Sequence, residues 1–194
     1  MPLARLTVTH LVNTMYRHLA LASCLLLAAC ATAPAPSTAP VSTPQHAEAI
    51  EGRFHLAFEL PKNNWKVGEA IEGLSMLALV KGTGADLGGS GGGLLGFDFA
   101  EVNGTRRMAY GSTADCRAFR LEPGKPRTSA ITKSGGFNGD DPNAAFYRAF
   151  FTDPVVRLPV GDWTITAVAS FSEGNDCRGA SHTLWATIRI HVTP

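Results

Sequence analysis

Charged side chains are scarce in this sequence. Lys, Arg, Asp and Glu make up 17% of it, against about a quarter in an average globular chain, and the 17 basic residues are balanced by 16 acidic ones. A protein that grips phosphate backbones needs a basic face to displace counterions. The only adjacent basic pair is Arg106-Arg107, so no nucleic-acid partner is expected. No apolar run approaches the ~20 residues that a membrane-spanning helix requires. Also missing are a Cys-x-x-Cys pair, a His-Glu-x-x-His helix, a Gly-x-Ser-x-Gly elbow and a Gly-Lys-Ser/Thr phosphate loop. Without these the chain is not read as an enzyme, and neither a metal nor a cofactor is expected. No segment sustains a helical period, which leaves strands as the main building material.

What is present begins with an apolar run of eleven, LALASCLLLAA (19–29), preceded by Arg17 and His18. That is the length of a signal-peptide core and too short for a bilayer of ~30 Å. The run ends in Leu27-Ala28-Ala29-Cys30, which resembles the lipobox of bacterial lipoproteins. The resemblance implies that Cys30 is joined to diacylglycerol and that residues 1–29 are removed as a signal peptide, with Met15 an alternative start. Removal leaves 15 basic residues against 16 acidic ones. It also implies a lipid-anchored protein of the cell membrane or outer membrane, its domain facing the periplasm or exterior; Ala31 after Cys30 fits an outer-membrane destination in a two-membrane host. Two or three acyl chains hold far more firmly than one.

Residues 30–50 are then expected to form the lipidated Cys30 and a disordered tether. The stretch ATAPAPSTAPVSTPQHA (31–47) has no apolar period, and its prolines favour extended conformations at ~3.1 Å per residue.

The domain itself is expected over 51–194. In RFHLAFEL, Phe54, Leu56, Phe58 and Leu60 fall on one face; in DWTITAVASF, Trp163, Ile165, Ala167, Ala169 and Phe171 do; in TLWATIRIHV, Leu184, Ala186, Ile188, Ile190 and Val192 do. A period of two places alternate side chains on opposite faces of a sheet. Further strands are expected at 74–80, 94–102, 105–110 and 119–124, and Asn103-Gly104 predicts a type I′ hairpin between the second and third of these. The one helical candidate is NAAFYRAFF (143–151), with Ala145, Phe146 and Ala149 on one side. Seven or more short strands with Gly/Pro turns predict an all-β, antiparallel two-sheet sandwich. LPVGDWTITAVASF and the final IRIHVT resemble the last strands of bacterial Ig-like and fibronectin-like domains. A looser resemblance, through Leu121-Glu122-Pro123-Gly124 and the Gly-x-Trp strand, is to secreted β-sandwich proteinase inhibitors.

With Cys30 assigned to lipid and Cys24 inside the signal, Cys116 and Cys177 remain, and an exported setting predicts a disulfide between them. The stretch GTGADLGGSGGG (82–93) reads as a mobile connector, and FNGDDPN (137–143) as an Asx-rich turn rather than a calcium loop. His55 and His191 face outward on the first and last strands and are placed to meet if those strands pair. Trp185, facing outward beside Thr187 and Arg189, and Trp65, in the turn-like PKNNWKVGE, are the candidate ligand contacts, for a sugar or a partner protein. The expected function is that of a non-catalytic binding or structural module of the cell envelope, its partners being the membrane and an envelope protein or glycan. The alternatives are an extracellular protease inhibitor or regulator, which needs loop 82–93 or 134–145 to enter a protease cleft, and an envelope enzyme whose site is assembled from scattered residues.

Overall fold

A computed structural model describes residues 43–194; the lipobox and most of the expected tether lie outside the described residues. In chain order the strands are β1 (Gln45–Glu51), β2 (Phe54–Leu60), β3 (Asn64–Lys66), β4 (Leu74–Leu79), β5 (Ala85–Gly89), β6 (Leu95–Glu101), β7 (Arg107–Met108), β8 (Arg117–Leu121) and β9 (Arg127–Ala130), then helix α1 (Ala144–Thr152) and strands β10 (Gly161–Glu173) and β11 (Ser181–Thr193). They form an all-β sandwich. The smaller sheet has the order β1-β2-β4-β9; the larger runs β3-β11-β10-β5-β8, with β6 also on β10 and β7 on β6.

The alternating segments behave as their period demands. The apolar sets of β2, β10 and β11 are all buried, while Trp185, Thr187, Arg189 and His191 of β11 are exposed. The two inner faces meet through aromatic contacts: Phe54 lies edge-on to Phe171 at 4.7 Å between ring centroids, and Phe58 lies 5.7 Å from Phe97. Ala167 and Ala169 on β10 are fully buried, and their small side chains leave room between the sheets for larger neighbours. Strands β10 and β11 pair antiparallel from Gly161↔Val192 to Ser172↔Ser181 and form the spine of the larger sheet.

Five local expectations change. First, the sheet starts at Gln45, inside the expected tether: β1 pairs with β2 from Gln45↔Leu60 to Glu51↔Phe54. Gly52, at φ 59°, occupies the first turn position, where a tight hairpin favours glycine. Second, β6 and β7 do pair, but Asn103-Gly104 is not a two-residue type I′ turn. The Glu101 N–H donates to the Arg106 carbonyl at 3.0 Å, so four residues form the loop, and neither Asn103 nor Gly104 has positive φ. Third, the glycine-rich segment is not a mobile connector. Its Ala85–Gly89 part is β5, paired with β8 on one side and with the end of β10 on the other. Strands β5 and β6 run along the same edge of β10, and Ser90–Gly93 bulges out between them, closed by Gly93 N–H donating to Ser90 O at 2.9 Å.

Fourth, α1 forms but buries Tyr147 and Phe150, leaving Ala145 and Ala149 exposed. Larger aromatic area decides which face turns inward: Phe150 lies 5.5 Å from Phe99, and Phe146 lies 6.2 Å from Trp163. Helix α1 therefore plugs the end of the sandwich where β10 begins. Lys133 fixes its exit, donating to the carbonyls of Phe150 (2.5 Å) and Asp153 (2.7 Å), groups that a helix end leaves unpaired. Fifth, Trp65 is not an exposed contact. It lies on β3, which pairs in parallel with β11, and is 4% exposed beneath the Lys62 ammonium, 4.5 Å from its ring.

Candidate functional site

The outer face of the larger sheet carries the feature that packing does not explain. Alternation along β11 sends Trp185 outward, and it is 58% exposed, far more than Trp65 or the fully buried Trp163. Its cross-strand partner is Val168 on β10, whose own neighbour on the far side is Gly96 of β6. The missing side chain at Gly96 is filled by the Tyr110 ring: a Cβ there would lie 2.0 Å from Tyr Cδ2. Tyr110 is held in place by its backbone N–H, which donates to the Asp98 carboxylate. Two aromatic rings thus flank Val168, which is itself only 4% exposed. Their strand positions are two interstrand spacings, about 10 Å, apart.

Beyond this row, toward the end of β10, lies an open cleft of about 250 Å³. Ser170, Ser172, Ser181 and Thr183 form its floor, since even positions of β10 and odd positions of β11 face outward. Its wall is the 110–116 segment, ending in the Cys116–Cys177 disulfide. That bridge spans 6.0 Å between Cα atoms and fastens the β10–β11 loop to the start of β8. The wall is also tied to the Ser90–Gly93 bulge: Gly91 N–H donates to Thr113 Oγ1 (3.1 Å) and Asp115 Oδ1 (3.0 Å), and Thr113 N–H donates to Ser90 Oγ (3.1 Å). The Thr113 hydroxyl, donating to Asp115 Oδ1, and then the Gly91 N–H hold the Asp115 carboxyl below its ordinary pKa. The Tyr110 hydroxyl is buried and has no hydrogen-bond partner among the described residues.

Of the residues singled out from the sequence, Cys116 and Cys177 are joined and Trp185 stands on the exposed face beside this cleft. Arg189 lies on the same face, paired with Asp162 at 3.0 Å; His191 bonds the other oxygen of that carboxylate at 2.7 Å. These two partners, His191 foremost, lower the Asp162 pKa. His55 and His191 do not meet, because β2 and β11 belong to different sheets; His55 instead bonds Glu48 at 2.9 Å. Among the described residues no group of three or more His, Cys, Asp or Glu has the geometry to hold a metal ion. Segment 137–143 spends its oxygens on its own backbone, Asn138 Oδ1 accepting from Asp140 N–H and Asp141 Oδ1 from Asn143 N–H.

His182 and His55 are the histidines that the scattered-site enzyme alternative would set beside a buried carboxylate in a deep pocket; His182 lies at the start of β11 opposite Phe171 of β10. It stacks on Phe171 at 5.3 Å and closes that end of the core. Its Nδ1 lies 2.8 Å from Glu51, and its Nε2 lies 3.3 Å from Glu173 but off the hydrogen-bonding line. Both carboxylates are partly exposed, and Arg53 binds the second at 2.7 Å. The cleft and the Tyr110 ring were equally invisible in the sequence, because they depend on which strands become neighbours; the glycine at 96 was their only local sign. No protein-family model matches the chain and no curated protein matches it.

Proposed function

We propose that the chain is a lipid-anchored, non-catalytic binding module of the bacterial cell envelope, and that the outer face of its larger sheet is the binding surface. The observation that carries this reading is Trp185, a large aromatic side chain 58% exposed beside a walled cleft. An exposed indole offers a flat apolar face with a polar N–H edge, the kind of side chain enriched at binding surfaces. The lipobox-like Leu27-Ala28-Ala29-Cys30 supports the anchor, and the Cys116–Cys177 bridge is in keeping with an oxidising compartment. The arrangement around His182 supports a binding role over a catalytic one: its ring nitrogens face two carboxylates, not a hydroxyl that a base would activate.

The test uses the full-length protein in its host. Detergent-washed envelope material, stripped of lipid, should retain the wild-type chain and lose Trp185→Ala. The wild-type chain should take up labelled palmitate in its host, and Cys30→Ala should not. Equal retention of the Trp185→Ala variant overturns the binding surface, and the absence of lipid label on the wild-type chain, or its persistence in Cys30→Ala, overturns the anchor.

A further inference from the structure

We infer that the Trp185 face binds a neutral glycan chain, with one sugar ring stacked on Trp185 and the next reaching over Val168 toward Tyr110 and the hydroxylated cleft. This rests on the binding-module reading and names the ligand that reading leaves open.

Three features point to that chemistry. The first is the platform itself. A pyranose offers one apolar face of C–H groups and a rim of hydroxyls, so it suits an exposed indole flanked by polar groups. Trp185 supplies the indole, and Thr187, adjacent on the same outer row and bonded to Thr166 Oγ1 at 2.9 Å, begins a line of hydroxyl side chains. The spacing of about 10 Å between the Trp185 and Gly96–Tyr110 positions, two strand separations, is long enough for two linked rings and too long for one.

The second is the lining of the cleft. Its floor and wall are dominated by Ser and Thr, and no Lys or Arg lines it. An anionic ligand in the cleft would find no Lys or Arg, only His182, whose ring already faces Glu51 and Glu173, while Arg189 farther along the outer face is held by Asp162. The carboxylate present, Asp115, is already bonded to Gly91 N–H, Thr113 and Arg117, so it is poorly placed to attract a cation. Uncharged hydroxyls and amides are the groups this surface can satisfy.

The third is the Tyr110 hydroxyl. It is already out of water and unpartnered among the described residues, so a hydrogen bond to a ligand adds no further dehydration cost on its side. Tyr110 is one of the residues that line the cleft. A buried polar group left unpaired destabilises the free protein, and a ligand hydroxyl that completes it removes that cost.

The full-length protein in detergent micelles allows a direct test through tryptophan emission. Trp65 and Trp163 are buried and Trp185 is exposed, so a blue shift on titration reports on Trp185. The probes are the neutral tetrasaccharides chitotetraose, cellotetraose and maltotetraose, with tetragalacturonate as a charged comparison. At least one neutral probe should shift the emission. Against that same probe, followed by calorimetry, Trp185→Ala should bind about tenfold more weakly or worse, as expected for a central aromatic contact. Tyr110→Phe, which keeps the ring over Gly96, should bind about fivefold more weakly while its Tm stays the same or rises. Which neutral probe binds identifies the glycan class.

If no neutral tetrasaccharide binds while the washed envelope still retains the wild-type chain through Trp185, the glycan assignment fails and the binding module stands. Tighter binding of tetragalacturonate than of every neutral probe overturns the neutral assignment. An unchanged affinity in both variants overturns the site.

Discussion

Glycines in the 82–93 stretch serve opposite purposes at neighbouring positions. At Gly88 an added Cβ would fall 2.6 Å from Cys177 Sγ and 2.7 Å from its backbone nitrogen, whereas at Gly92 the nearest atom is Ser90 Oγ at 3.6 Å. Gly88→Ala should therefore lower stability by about 1–3 kcal/mol through overpacking, and Gly92→Ala should change it by less than about 0.5 kcal/mol. Urea denaturation of the two variants checks this, and equal midpoints would remove the close approach as the reason for glycine. The sequence shows seven glycines in a row of twelve and nothing to rank them. The demand at Gly88 comes from Cys177, far away in the chain, and becomes visible only once β5 pairs with the end of β10. Trp65 was misread for a related reason: its flanks PKNN and KVGE are turn-like, yet three residues beside β11 are enough to bury it.

Paired carboxylates also set a pH dependence. Arg106 bonds Glu101 and holds its pKa below 4.5; His55 and then His46 do the same for Glu48, and His191 and Arg189 hold Asp162 below 3.8. A carboxylate with a depressed folded pKa binds fewer protons folded than unfolded. Its stabilisation is thus fully present above its ordinary pKa and is lost as the pH falls through the depressed value. Denaturation midpoints should hold level from pH 7 to about 5 and fall below about pH 4. Glu101→Gln should flatten part of that fall, because its partner Arg106 remains charged throughout and also stacks 5.0 Å from the Phe146 and Trp163 rings. An unchanged acid slope in Glu101→Gln would show that the pair does not carry it.

Elements were legible where hydrophobic alternation was strong and long. Strands β2, β10 and β11 needed only the period of two. Strand β1 lacked that signal because its inward residues are Gln45, Ala47 and Ala49, too small and too close to proline-rich sequence to stand out. Strand β9, Arg127–Ala130, has no large apolar side chain at all and exists by pairing with β4. Helix α1 was legible as a helix, but its buried face was not, since alanine and aromatic residues alternate around it and only the location of the open sandwich end decides. Phe150→Ala should cost about 3–5 kcal/mol, the usual penalty for deleting a buried phenylalanine. Ala149→Glu, on the exposed side, should stay within about 0.5 kcal/mol of wild type. The reverse order in a thermal or urea melt would mean that the helix docks by its alanine face.

At the scale of the whole molecule, the sandwich has two open ends and closes them by different means. Aromatic burial under α1 seals one. The other has His182 and the Cys116–Cys177 bridge, which joins positions 61 apart in sequence. A loop of that length loses enough freedom in the unfolded chain to make the bridge worth roughly 4 kcal/mol in the chain-entropy model. Against the 5–15 kcal/mol typical of a whole domain, that is a large share. The bridge also ends the wall of the cleft, so its loss acts at two levels. Cys116→Ser with Cys177→Ser should lower the unfolding free energy by about 4 kcal/mol. Under conditions where the double variant is still folded, it should also bind the best neutral tetrasaccharide more weakly than the wild type does, while Phe150→Ala, which acts at the far end, should leave that affinity unchanged. A double variant that melts with the wild type would contradict the unfolded-state argument. One that is destabilised yet binds with full affinity would separate the bridge from the cleft and assign it to folding alone.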